Sequence, residues 1–160
     1  MKKNENTIEV MNDLIRINKD RIAGYEKAAN EEKELEPDIR NFFYSIATES
    51  RSFVNDLHAE VLRLGGVPVS GTTISGKIYL FWLDMKADFL GGYTGNDTYS
   101  LLTTSETGED AIQNAYQHAL ESGVELPDNI QRLIEKQSFR LKRSHELMKK
   151  YREEHATVSK

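Results

Sequence analysis

The chain has 160 residues, 38% hydrophobic and 29% charged, with a formal net charge of −5. That balance suits one helical domain with a long polar perimeter, and argues against nucleic acid or an anionic membrane as the main partner, because both select a basic surface. The absence of cysteine excludes disulfides, thiolate catalysis, zinc knuckles and iron–sulfur clusters. The chain begins on a polar stretch and holds no apolar run of membrane-spanning length, so the expected location is cytoplasmic.

From about residue 7 to 33, Met11, Leu14, Ile15, Ile22, Tyr25 and Ala28 or Ala29 recur at helical spacing, with Asn18 on the same face. Pro37 stops this helix and suits the first turn of the next, expected over 37–64. The second face is Ile39, Phe42, Phe43, Ile46, Phe53, Leu57, Val61 and Leu64, ended by Gly65-Gly66 and Pro68. The short connection makes the two helices antiparallel neighbours. A loop rich in Gly, Ser and Thr leads to a shorter helix over about 74–90, with Ile78, Leu80, Phe81, Trp82, Met85 and Phe89. Its apolar start resembles a strand, but Asp84, Lys86 and Asp88 follow without alternation. Trp82 reads as a core anchor for this crossover. Asp97 is an N-cap for a helix over 98–122, with the face Leu102, Ile112, Tyr116, Ala119 and Leu120. After Gly123 and Pro127 a last helix runs over 128–154, with Ile130, Leu133, Ile134, Leu141 and Met148 inward. Its cations Arg140, Lys142, Arg143, Lys149, Lys150 and Arg152 read as a solvated face near a C-terminus. The layout predicts an all-α, single-domain, ferritin-like antiparallel four-helix bundle, with a long crossover that contains an additional short helix.

Bundles of that kind hold two metals with a Glu from each of two helices and a Glu-x-x-His from each of the others. Three residues before His58, His118, His145 and His155 stand Asn55, Ala115, Lys142 and Arg152, so no Glu-x-x-His exists. The expected inward polar residues are Asn18, Glu49, Glu109, Gln137 and His145, with Glu106 less squarely placed. Counting ~1.5 Å per residue sets Glu49 and Glu109 ~18 Å from one end of the bundle and His145 ~15 Å from it, so the three are expected to meet. Two carboxylates and an imidazole suit Zn, Fe or Mn. The same groups also make a hydrogen-bonded polar layer that fixes helix register. A buried carboxylate pair needs a proton or a cation, which Arg21 or a protonated His145 would supply.

The segments MNDLIRINKDRIAGYEKAA, DLHAEVLRLGGVP, FWLDMKADFLGG, GEDA, AYQHAL and EKQSFRLKRSHELMKKYRE occur in this order. Together, over about residues 8–152, they resemble a bacterial family of four-helix-bundle proteins of uncharacterised function related to the ferritin-like superfamily. The resemblance implies a ferritin-like fold without an established activity, and implies that Gly108-Glu109-Asp110 and His145 belong to the family's pattern. Where that pattern carries an acidic residue in the first helix, this chain has Ile22.

The expected function is a non-enzymatic binding, stress-related or self-associating protein. The alternative is a metal-binding or vestigial redox protein using Glu49, Glu109 and His145. A small-molecule-binding bundle rests on aromatic content alone. The expected assembly is a homodimer that buries part of the crossover, and a protein partner is the other candidate.

Overall fold

The computed structural model describes residues 2–69, 76–91 and 97–158, with side chains at 4–69, 76–85 and 97–156. It is all-helical: α1 (Lys2–Glu31), α2 (Pro37–Arg63), α3 (Lys77–Gly91), α4 (Thr98–Leu120) and α5 (Asp128–Val158), with no strand among the described residues.

Local chemistry sets the boundaries. Pro37 stands in the first turn of α2, where its missing N–H costs nothing. At the other end Gly65 takes φ +82°. Its N–H bonds the Leu62 carbonyl, and the Gly66 N–H bonds the Val61 carbonyl, a Schellman closure. The Asp97 carboxylate caps α4 by accepting the Ser100 N–H at 2.8 Å, and this pulls its pKa below the usual range. Helix α1 starts at Lys2 rather than near residue 7, since nothing in the polar opening breaks a helix. Helix α5 continues past 154 because its last turns have partners: Tyr151 packs on Phe42, and His155 bonds Glu36 and the Tyr151 carbonyl.

Named contacts give the running sense of each pair. Along α1, Asn18 bonds Ser50 and Asn30 bonds Tyr44, so α1 and α2 run in opposite senses. Glu49–Ser144 and Phe53–Gln137 show the same for α2 and α5, and Tyr116–Gln137 with Glu106–Arg152 show it for α4 and α5. Asn18–Tyr116 and Tyr25–Glu109 oppose α1 and α4.

Helix α3 lies across α1 and α4. Ile78 and Trp82 are buried, the Tyr79 hydroxyl and the Trp82 indole both donate to Asp20, and Phe81 stacks on His118 with ring centroids 4.5 Å apart. Ile78 and Trp82 are thus used inside the chain, and Tyr79 and Phe81 are half-buried. Among the described apolar side chains of α3 only Leu80 is exposed, and Phe89 lies outside the described side chains.

The core falls into two clusters. One holds Leu14, Ile17, Phe53, Leu57, Ile112, Ile130, Ile134 and Leu141; the other holds Tyr25, Ala29, Phe43, Ile46, Leu102 and Met148. Between them lies a layer of buried polar side chains.

Candidate functional site

Arg21, one turn after Asn18 on α1, enters this layer and is 4% exposed. Its Nη2 donates to Glu109 Oε1 at 2.6 Å and its Nε to Glu109 Oε2 at 3.1 Å, the two-pronged pairing that a planar guanidinium makes with a carboxylate. Its Nη1 donates to Glu49 Oε1 at 3.0 Å and to Ser50 Oγ at 2.9 Å. Glu109 also accepts the Tyr25 hydroxyl at 2.8 Å, and Glu49 accepts the Ser144 hydroxyl at 3.1 Å. The chain of bonds continues from Ser50 to Asn18, from Asn18 to Tyr116, from Tyr116 to Gln137, and from Gln137 to the Phe53 carbonyl. Four of the five helices, α1, α2, α4 and α5, are thus joined by one network. Every donor in it finds a partner at this depth, as buried polar groups must.

The electrostatics follow from that geometry. Burial works against the charge on Arg21, but Glu109, with Tyr25 and Glu49 behind it, outweighs burial and raises its pKa. Burial, then the Glu109 charge, pushes the Tyr25 phenol well above its usual value, so it stays a donor. Burial does the same for Tyr116. The two carboxylates are not equivalent: the Glu109 side chain is 1% exposed and that of Glu49 21%. Negative charge in excess of the single guanidinium therefore lies on the side that water reaches.

The residues expected to meet are only partly brought together. Glu49 and Glu109 converge on Arg21. His145 turns toward the flank of α4, with its Nε2 2.7 Å from Asp110 Oδ1 and 3.9 Å from Glu106 Oε1, a close approach that lacks the geometry of a hydrogen bond. The level is as counted, since the neighbouring Ser144 reaches Glu49, but the azimuth differs. The inward stripe of α5 is Gln137, Leu141, Ser144 and Met148. Leu141 and Met148 allow either 144 or 145 between them at helical spacing, and one residue is ~100° of rotation. Asn18 and Gln137 are inward as expected. Among the described residues no group of three or more His, Asp or Glu side chains is placed to hold a metal ion. The lone pairs of Glu49 and Glu109 that face the centre are already taken by the guanidinium and two hydroxyls. Arg21 was legible in the sequence only as one of two available cations, because a lone Arg beside an apolar stripe normally snorkels to water.

Two further features adjoin the layer. Asp13, buried on α1, accepts the Tyr79 backbone N–H at 3.2 Å and pairs with Arg16 at 3.1 Å, so a side chain of α1 caps the first turn of α3. Gly76, just before α3, has φ +89°, and a Cβ there would fall 2.0 Å from Asp13 Oδ2. The other is a cavity of about 490 Å³ between α1 and α4, beside Trp82 and above Arg21, Tyr25 and Glu109. Gly24 and Gly108 expose backbone to it from the middle of their helices.

A family model described as a domain of unknown function, DUF2383, matches residues 6–122. No curated protein matches the chain.

Proposed function

This chain belongs to that family, and from this premise we propose that it is a ferritin-like antiparallel four-helix bundle that acts by binding and self-association rather than by catalysis. The observation that carries the reading is Arg21. A guanidinium lies between the carboxylates of α2 and α4, where a bundle of this class would otherwise place a metal. A cation fixed to the chain neutralises the carboxylates and blocks their approach to a second cation. No histidine in the layer offers a replacement ligand, since His145 is aimed at Asp110. What remains is a register-fixing network, and it supplies neither a nucleophile with an adjacent base nor an open coordination position.

Elemental analysis of the untagged chain tests this. The expected result is iron, zinc and manganese each far below one per chain. Stoichiometric metal that survives dialysis would overturn it in favour of a reduced Glu/His metal site.

A further inference from the structure

The outer surface of α5 is basic although the chain as a whole is acidic. At ~100° per residue, Arg132, Lys136, Arg140, Arg143 and Lys150 share an arc of ~100°. Phe139 and Leu147 lie in the same arc and are 64% and 47% exposed. No acidic residue of α5 between 132 and 150 falls within it. All five cations are exposed, and the contacts that α5 makes with carboxylates among the described residues run through His145, Arg152 and His155 instead.

Alongside runs the outer face of α2, which has the opposite character. Asp38 and Asp56 are exposed there and enter no ion pair among the described residues; those of α2 use Glu49, Arg51, Glu60 and Arg63. Glu49 adds to this side the part-exposed charge that Arg21 leaves over. Between the acids the face is low and small: Asn41, Ser45, Ser52 and Ala59, all exposed. A cavity of about 410 Å³ lined by Asp56, Ala59, Glu60 and Arg63 of α2 and by Arg132 and Lys136 of α5 shows that both stripes border one groove, where Arg63 is paired with Glu60 of its own helix.

We propose that this α2/α5 face is the dimerisation surface, and that its occupant is a second copy of the chain. The argument is charge and shape complementarity within a single face. A two-fold axis that lies along the groove, in the plane between the copies, lays α5 of each on α2 of the other, and every contact occurs twice. Such an axis keeps the level of each residue, and the pairs Phe53–Gln137 and Glu49–Ser144 define those levels. Lys136 then stands level with Asp56 of the partner subunit and Arg143 with Glu49 of the partner subunit. Lys150 comes within about one turn of Asp38 of the partner subunit. Phe139 falls level with Ser52 and Leu147 with Ser45 of the facing α2, where a bulky side chain has room. An exposed aromatic flanked by arginines is the composition of an interface centre. A membrane or a nucleic acid fits less well, because the same face presents the free carboxylates of Asp38 and Asp56.

The inference rests on the reading that this protein acts by self-association, and its test is independent of metal content. Light scattering of the untagged chain at high micromolar concentration is expected to give twice the chain mass. Raising salt from about 0.05 to about 0.5 M should weaken the dimer, because the charge pairs are screened. Lys136→Glu should raise the dissociation constant at least about tenfold, with the far-ultraviolet spectrum unchanged, and Asp56→Lys in the same chain should recover most of that loss. Phe139→Ser should also give monomer. A monomeric wild type, or a dimer indifferent to both Lys136→Glu and Phe139→Ser, would overturn the inference. So would a Lys136→Glu loss that Asp56→Lys does not recover at all, because the seating of α5 on α2 would then be wrong. The Arg21 reading stands or falls separately, on elemental analysis.

Discussion

The Arg21 guanidinium donates to Glu109 through two nitrogens and to Glu49 and Ser50 through the third. Removing it strands Glu109 in a site with 1% exposure. Arg21→Met should therefore cost ~3–5 kcal/mol of unfolding free energy, as for other broken buried pairs. Glu109→Gln keeps the shape and can still accept the Tyr25 hydroxyl, but it leaves the guanidinium to the part-exposed Glu49; the expected cost is ~1–3 kcal/mol. Glu49→Gln should cost under ~1 kcal/mol, since water already screens that pair. Urea titration of the three variants checks the order, and equal losses at Glu49 and Glu109 would contradict the asymmetry of the layer. Asp13 gives a pH-dependent prediction. Burial, opposed by the Tyr79 amide and Arg16, raises its pKa from 3.8 to about 6. The folded chain thus holds this proton more tightly than the unfolded chain does. The stability it contributes is present at low pH and lost as pH rises through about 6. The stability of wild type relative to Asp13→Asn should accordingly fall by about 2 kcal/mol between about pH 4 and pH 7, less than the full shift implies because part of the titration lies below that window. A flat difference across that window would show that Asp13 titrates normally.

Among the elements, α3 is held to α1 chiefly by Asp13 at its first turn and by Asp20 on Tyr79 and Trp82. Gly76 makes that docking possible, because its positive φ and missing side chain admit the Asp13 carboxylate. Gly76→Ala should cost at least ~1–2 kcal/mol. It should also uncouple α3, so that the fluorescence of Trp82, the only tryptophan, changes at lower denaturant than the far-ultraviolet signal. Coincident transitions would speak against a separately docked α3. Gly24 is the opposite case: a Cβ added in the middle of α1 meets nothing within 4 Å. Gly24→Ala should stabilise by ~0.5–1 kcal/mol through helix propensity alone, read as a rise in Tm. Helix existence was legible from apolar period and punctuation, as at Pro37, Gly65 and Asp97. The tertiary cap on α3 was not, because Asp13 and Tyr79 are far apart in sequence and no local pattern links them.

For the molecule as a whole, the polar layer between two apolar clusters sets how the helices align. Sliding α1 by one turn would move Arg21 into one cluster and strand two carboxylates, a penalty no apolar repacking offsets. The residues that form the layer were legible as types: Asn18, Glu49, Glu109 and Gln137 all stand on faces drawn from helical spacing. Their partners were less so. Between Leu141 and Met148 the spacing admits either Ser144 or His145, and the choice needs the azimuth of α5 against α2 and α4. The partners of the α3 aromatics, Asp20 for Tyr79 and Trp82 and His118 for Phe81, likewise have no local signature in the sequence.

The sequence by itself determined the number and type of the helices, most of their ends, the lack of any Glu-x-x-His and the level at which polar side chains cross the core. Each of these depends on neighbours within a few turns, where periodicity and capping chemistry act. Only the tertiary structure decided that Arg21 is the cation between Glu49 and Glu109, that His145 faces Asp110, and that Asp13 caps a helix over sixty residues away. Those choices depend on the rotation of each helix about its axis, which is set by packing against several others at once and has no local signature in the chain.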